Sequence, residues 1–112
     1  MINNVTLIGR LTADPAVKEL EGGVKVARFT LAVEKTYKNR DGEKDTNFIP
    51  VVVWRKTAEI AEKWLKKGSM CGIIGSIETR SYDDQDGTRH YVTEILGSEL
   101  QLFTSASGAA QE

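Results

Sequence analysis

Residues that support catalysis, metal binding and covalent cross-linking are scarce in this sequence. It contains one cysteine, Cys71, and one histidine, His90, among 112 residues. A lone cysteine cannot form an internal disulfide, which is typical of a protein of the reducing cytoplasm. Cys71 fits an inert core position, and His90 fits a partly exposed strand. No metal-ligand spacing and no nucleophile–base set is present, so the sequence predicts a protein that is not an enzyme and needs no cofactor.

Two further absences narrow the class of protein. No apolar run is long enough to cross a bilayer, and no signal segment follows Met1, so we expect a cytoplasmic protein without a membrane partner. An excess of charge of one sign is also missing, because 15 basic and 16 acidic side chains leave a net charge of −1. Any binding of nucleic acid must therefore depend on the local arrangement of charge.

The most informative segment is Asn47–Trp54, whose β-branched and aromatic residues predict a strand. Alternation places three aliphatic side chains on one face, which suits a core. The opposite face carries Phe48, Pro50, Val52 and Trp54. Arg55 and Lys56 follow directly. A strand that buries one face and exposes rings and cations on the other is a platform for flat, negatively charged ligands.

Five strands and one helix are predicted in one domain, residues 1–103, followed by a short flexible tail, residues 104–112. The predicted strands are Ile2–Leu11, Val24–Tyr37, Asn47–Trp54, Met70–Tyr82 and Arg89–Phe103. The helix, Thr57–Lys67, lies between strands 3 and 4, and Asp41-Gly42 marks a long hairpin. Ala16–Leu20 is predicted as a short polar arm. This order is typical of an all-β, five-stranded barrel of the oligonucleotide-binding (OB) type.

The eight aromatic residues divide into two groups. Phe29 and Trp64 are assigned to the core and Phe103 to the closure of the barrel end, while Tyr91 fits either a core edge or a subunit contact. Four rings remain at outer-face or loop-base positions, namely Tyr37, Phe48, Trp54 and Tyr82. The cations near them are Arg28, Lys35, Lys38, Arg40, Arg55, Lys56 and Arg80.

These rings indicate how a chain without excess positive charge can bind nucleic acid. Stacking one base on an aromatic ring contributes about 1–3 kcal/mol and tolerates any base. Two or three such rings can outweigh a weak electrostatic attraction. Duplex DNA would gain nothing from them, because its bases are already stacked. The pattern therefore favours an unpaired strand as the ligand.

Six segments occur in an order that matches a known family. They include N-x-V-x-L-I-G-R-L-T-x-D-P and F-I-P-V-V-V-W-R-K-x-A-E, and they lie at Asn3–Pro15, Val26–Val33, Phe48–Glu59, Leu65–Ser69, Gly75–Tyr82 and Asp86–Glu94. Together they resemble the bacterial single-stranded DNA-binding protein family over about residues 1–103. Several linked motifs in the right order make the resemblance specific.

The resemblance implies an OB fold, usually a homotetramer of 222 symmetry, that coats single-stranded DNA at the nucleoid during replication, repair and recombination. Family members stack bases on aromatics at the positions that Tyr37, Phe48, Trp54 and Tyr82 match. Lys56 and Arg80 match positions that are commonly basic, and the hairpin Lys38–Thr46 matches the loop that follows the DNA backbone.

The sequence also departs from the family pattern. Family members usually continue into a long linker with an acidic, Phe-tipped end that recruits genome-maintenance proteins. This sequence reaches Glu112 without one, so partners that need such a tail are not expected. Pro50 occupies a position that is often polar or basic and requires a gap in the strand's hydrogen bonding or a bulge. Ile74 is predicted as an exposed subunit contact.

Two other functions remain open from the sequence. An OB module that only scaffolds protein assembly would use the same outer aromatics as interface residues. An RNA-binding or primosome-associated relative of the same fold would present the same rings to a different ligand.

Overall fold

The chain folds into a closed barrel of antiparallel and parallel strand pairs. A computed structural model describes residues 1–103. Its elements are β1 (Val5–Leu11), β2 (Ala16–Glu19), β3 (Lys25–Lys38), β4 (Lys44–Trp54), α1 (Arg55–Trp64), β5 (Met70–Asp83) and β6 (Arg89–Leu102), with a 3-10 turn at Glu21–Gly23. The sheet order is β1-β5-β6-β4-β3-β2, and pairing of β1 with β3 closes the barrel. The pair of β4 and β6 is parallel, and the other pairs are antiparallel.

The predicted OB-fold barrel with one short helix is confirmed. α1 joins β4 to β5, which are the third and fourth of the predicted strands. The segment predicted as a polar arm is instead a strand, because Ala16 to Glu19 pair with Arg28 to Lys25 of β3. β1 pairs with β3 only near Leu31. The chain then breaks at Asp14-Pro15, and β2 pairs with the earlier part of the same edge of β3. The predicted tail, residues 104–112, lies outside the described residues.

The barrel interior is filled by the aliphatic faces of the strands and closed at one end by α1. Phe29, Leu31, Val53 and Ile73 are among its buried side chains. Ala58 and Ala61 of the helix are fully buried, and their small size lets the helix approach the barrel closely. Cys71 is also in this core, where burial raises the pKa of its thiol to about 11. The predicted inert thiol is consistent with this environment.

The barrel bends where β5 and β6 cross most closely. The pairing register shifts between Ile74 and Gly75, so that Gly75 lies opposite Gly97. A Cβ atom on Gly75 would overlap the carbonyl oxygen of Leu96. The absence of a side chain is therefore what allows the strands to approach, as expected for a glycine at a barrel bend. Two-residue alternation along β5 places Ile77 on the inner face with Ile73, but Ile77 is exposed, because beyond this bend the β5–β6 hairpin leaves the body of the barrel.

Three further side chains differ from their predicted environments. Trp64 is 56% exposed rather than buried, because α1 ends there and the following Leu65 enters the core instead. Phe103 is exposed and lies over Gly72 on the outside of β5, so it does not close the barrel end. Val52 is on the outer face as predicted, but it is buried between its partners Arg28 and Leu96 in the middle of the sheet.

The gap predicted at Pro50 falls on one side of β4 only. Pairing with β3 continues through Thr30 opposite Pro50 without a register shift. Pairing with β6 begins at Val51, directly after the proline. The predicted bulge is therefore absent at Pro50, and the interruption is confined to the β6 side. No helix within residues 1–103 is long and apolar enough to cross a membrane.

Arg55 turns the chain from β4 into α1 with a backbone φ of +58°. A non-glycine residue in this left-handed region carries a cost of roughly 1–2 kcal/mol. We expect Arg55→Gly to raise the free energy of unfolding by up to about 1 kcal/mol, because glycine adopts this conformation without a Cβ clash. Urea unfolding followed by circular dichroism measures the change.

The neighbouring residue provides the control for this prediction. Lys56→Gly places glycine at an ordinary helical position and should lower the free energy of unfolding by about 1 kcal/mol. Equal destabilisation by both substitutions would show that the backbone of Arg55 stores no strain.

Candidate nucleic-acid interface

The four aromatics left over by the sequence pattern are exposed on the outside of the barrel. Phe48 is 65% exposed and Trp54 is 39% exposed, and both lie on β4. Six residues of strand separate them by roughly 20 Å. Tyr37 and Tyr82 are exposed near the ends of β3 and β5, where two hairpins leave the barrel. The rings are therefore uncovered along the surface formed by β3, β4, β6 and β5, which we call the aromatic face.

Tyr37 belongs to the hairpin between β3 and β4. The pairing register shifts between Glu34 and Lys38, so the hairpin continues beyond an irregularity. The Asn39 side-chain oxygen accepts hydrogen bonds from the backbone N–H groups of Asp41 and Glu43, which closes the turn at the predicted place. The hairpin presents several cations, namely Lys35, Lys38, Arg40 and Lys44. Lys35 Nζ lies 6.0 Å from the centre of the Tyr37 ring.

Tyr82 is part of a cluster that the sequence interpretation missed. The rings of Tyr82 and His90 are stacked, with centroids 5.1 Å apart and planes 19° from parallel. His90 Nε2 lies 2.7 Å from Asp84 Oδ2. This hydrogen bond, with those from the backbone N–H groups of Thr88 and Asp86, holds the pKa of Asp84 below its usual range. One face of Tyr82 is therefore already covered by His90, and the guanidinium carbon of Arg80 lies 5.9 Å from the centre of the same ring.

The Tyr82–His90 pair follows from the hairpin register. The turn at Asp86-Gly87 places Tyr82 opposite His90 and Arg80 opposite Val92. Counting outward from that turn in the sequence would have paired the two rings, because directly opposed side chains on a sheet face lie about 5 Å apart. His90 itself is exposed, as the sequence pattern indicated.

Two of the predicted cations are held by a buried acid. Arg28 Nη1 donates a hydrogen bond to Glu94 Oε1 over 2.7 Å, and Arg80 Nε lies 3.5 Å from Glu94 Oε2. Glu94 is 7% exposed. Sequence reasoning placed both arginines on the aromatic face but missed the carboxylate between them. The structure therefore brings Arg28 and Arg80 together as an ion-pair triad rather than as two independent charges.

The remaining predicted cations lie beside Trp54. Arg55 and Lys56 are exposed in the first turn of α1, directly after the ring. α1 is attached to β3 by an ion pair in which Lys25 Nζ lies 2.7 Å from Glu62 Oε1. Across residues 1–103, no three His, Cys, Asp or Glu side chains are grouped so that they could hold a metal ion.

The strands β1, β3, β4, β5 and β6 form a closed barrel with exposed rings and cations on one outer surface, which defines an OB-fold protein with an uncovered aromatic face. The model of the Single-strand binding protein family matches residues 2–103, and the chain belongs to that family.

Curated relatives of similar sequence have the same description. The chain is 50% identical over 107 residues to the single-stranded DNA-binding protein of Streptococcus pneumoniae, covering 96% of this chain and 69% of that protein. It is 46% identical over 112 residues to that of Bacillus cereus, covering 100% and 66%. For Caldanaerobacter subterraneus the identity is 47% over 108 residues, covering 96% and 72%. The chain therefore spans about two thirds of the length of these relatives.

Proposed function

We propose that this protein binds single-stranded DNA without sequence preference and protects it during replication, recombination and repair. The observation that carries the proposal is the set of uncovered rings on the aromatic face, in a chain that belongs to the Single-strand binding protein family. Membership of that family and the names of the relatives support single-stranded DNA as the ligand. The activity is binding alone, and the site of action is the nucleoid of a bacterial cytoplasm.

The proposed mode of binding combines stacking with phosphate contacts. Unpaired bases stack on Tyr37, Phe48, Trp54 and the exposed part of Tyr82, each contributing about 1–3 kcal/mol. The phosphates contact the cations around these rings, namely Arg28, Lys35, Lys38, Arg55, Lys56 and Arg80. Each neutralised phosphate releases condensed counterions, so affinity should fall as salt rises. The lack of excess positive charge in the chain is consistent with a binding energy dominated by the rings.

Tryptophan fluorescence tests this function directly. Because Trp64 is exposed on α1, which is not one of the strands that form the aromatic face, we would titrate a Trp64→Phe variant in which Trp54 is the sole emitter. Oligo-dT should quench its emission, and a duplex of the same length should not. The slope of log affinity against log salt should be about −0.7 per phosphate contact.

The same titration separates the alternatives. A scaffold that does not bind nucleic acid gives no quenching and no gel shift with oligo-dT, and that result would reject the proposed function. Preferential binding of oligo-U in competition with oligo-dT would favour the RNA-binding relative instead.

We also propose that the protein is a homo-oligomer, most simply a homotetramer. Large apolar side chains are exposed on the neighbouring strands β1 and β5, including Ile8 and Ile74. Tyr91 is 79% exposed on β6, which favours the subunit contact over the core edge among its predicted roles. Light scattering with and without a long oligo-dT would give the mass of the free and the bound assembly. A monomeric mass under both conditions would contradict the proposal.

A further inference from the structure

Glu94 occupies an unusual place for an acidic side chain. Among residues 1–103 it is the one charged residue that is buried. β6 runs parallel to β4 with Val52 beside Leu96, so Glu94 is near the level of Pro50, between Phe48 and Trp54 along the neighbouring strand. Its carboxylate is therefore at the centre of a surface that is proposed to receive a polyanion.

The carboxylate contacts a different nitrogen in each arginine. Its Oε1 atom is paired with the terminal nitrogen Nη1 of Arg28, and its Oε2 atom is paired with Nε of Arg80. A guanidinium group carries five N–H donors, so each arginine keeps donors for another partner. The side chains of Arg28 and Arg80 are 45% and 46% exposed. Glu94 thus fixes both guanidinium groups and leaves part of each one facing outward.

The pairing also sets the charge of the face. Two guanidinium groups and one carboxylate give the triad a net charge of +1, where the two arginines alone would give +2. A buried carboxylate is stable only when it is paired and hydrogen-bonded, and here both of its oxygens have cationic partners. Within the triad, the carboxylate therefore neutralises one positive charge that would otherwise be available to the ligand.

We propose that Glu94 is a positioning residue that limits the electrostatic share of DNA binding. This inference rests on the proposed function. By neutralising one of two central arginines, Glu94 lowers the number of counterions released when a strand binds. Affinity then depends more on the rings and less on salt.

The substitution Glu94→Gln tests the inference. It keeps the size and one acceptor of the side chain but removes the charge, so the triad becomes +2. We expect the slope of log affinity against log salt to steepen by about 0.7, the value for one added phosphate contact to a single strand. At low salt oligo-dT should bind about fivefold more tightly, the effect of one unit charge about 4 Å from a phosphate in water. Glu62→Gln is the matched control. It breaks the ion pair between Glu62 of α1 and Lys25 of β3, and it should leave the slope unchanged.

A second comparison does not require the Glu94→Gln single variant to fold. Arg28→Gln alone should make the slope of log affinity against log salt shallower by about 0.7, because the triad loses one positive charge. Arg28→Gln combined with Glu94→Gln should return the slope to the wild-type value, because the central charge is again +1. A residue with only a structural role would change stability without restoring the slope.

The possible results are distinct. If wild-type protein binds oligo-dT but Glu94→Gln leaves the slope unchanged, or if its affinity falls at low salt, the inference is wrong while the proposed function stands. If wild-type protein does not bind oligo-dT at all, the proposed function itself fails.

Discussion

Replacing Trp54 by alanine should weaken the binding of oligo-dT by about 1–3 kcal/mol, or roughly 5- to 150-fold in Kd, because one stacking ring is lost. Trp54 is 39% exposed at the end of β4 and is not among the side chains of the hydrophobic core. The urea midpoint should therefore change much less than the affinity. Fluorescence anisotropy of a labelled oligo-dT measures binding without relying on tryptophan emission.

Two further variants sharpen this test. Phe48→Ala combined with Trp54→Ala removes both rings of β4 and should lower affinity by the sum of the single effects, since the rings lie roughly 20 Å apart. Trp64→Ala removes an equally large exposed ring from α1, outside the aromatic face, and should leave Kd unchanged. Equal loss of affinity in the Trp54 and Trp64 variants would mean that stacking on the aromatic face is not the source of binding.

Replacing Phe29 by alanine should lower the free energy of unfolding by about 3–5 kcal/mol, because it leaves a large cavity in the barrel core. Phe29 is buried on the inner face of β3, opposite Val51 of β4. A domain of ordinary stability has roughly 5–15 kcal/mol in total, so the variant should be marginally folded or unfolded. Circular dichroism during urea unfolding gives the change directly.

Phe48→Ala is the matched control for Phe29→Ala. It makes the same substitution on a neighbouring strand, but at a side chain that is 65% exposed. We expect it to keep the urea midpoint and lose affinity for oligo-dT, whereas Phe29→Ala loses stability first. The opposite outcome, with Phe48 essential to folding and Phe29 dispensable, would show that Phe48 rather than Phe29 faces the barrel interior.

Alternation was enough to predict the barrel wall from the sequence. The inner positions of β4 are those that the two-residue period indicated, because a closed sheet buries one face of each strand. The same reasoning separated Phe48 and Trp54 from the core.

Side chains beyond the regular strands were harder to predict. Trp64 has the right helical spacing for the core, but α1 ends at that residue and Leu65 fills the space instead. β2 escaped prediction because its strand pairing depends on an edge of β3 that becomes available only when β1 diverges.

The polar part of the aromatic face could not be obtained from alternation alone. Glu94 alternates as an outer-face residue, and nothing in its local sequence indicates that two arginines from other strands cover it. That burial depends on the register between β3, β4, β6 and β5. His90 is a milder case, because its partner Tyr82 lies across a single hairpin and is fixed by one turn.

The environment of Cys71 has a practical consequence. The thiolate is the form of cysteine that attacks alkylating and maleimide reagents, and the Cys71 thiol is enclosed in the core, where burial raises its pKa to about 11. We therefore expect the folded chain to react slowly with such reagents. A single cysteine introduced at an exposed turn, such as Asp41→Cys, would accept a dye selectively and report the position of the hairpin without any need to remove the native residue.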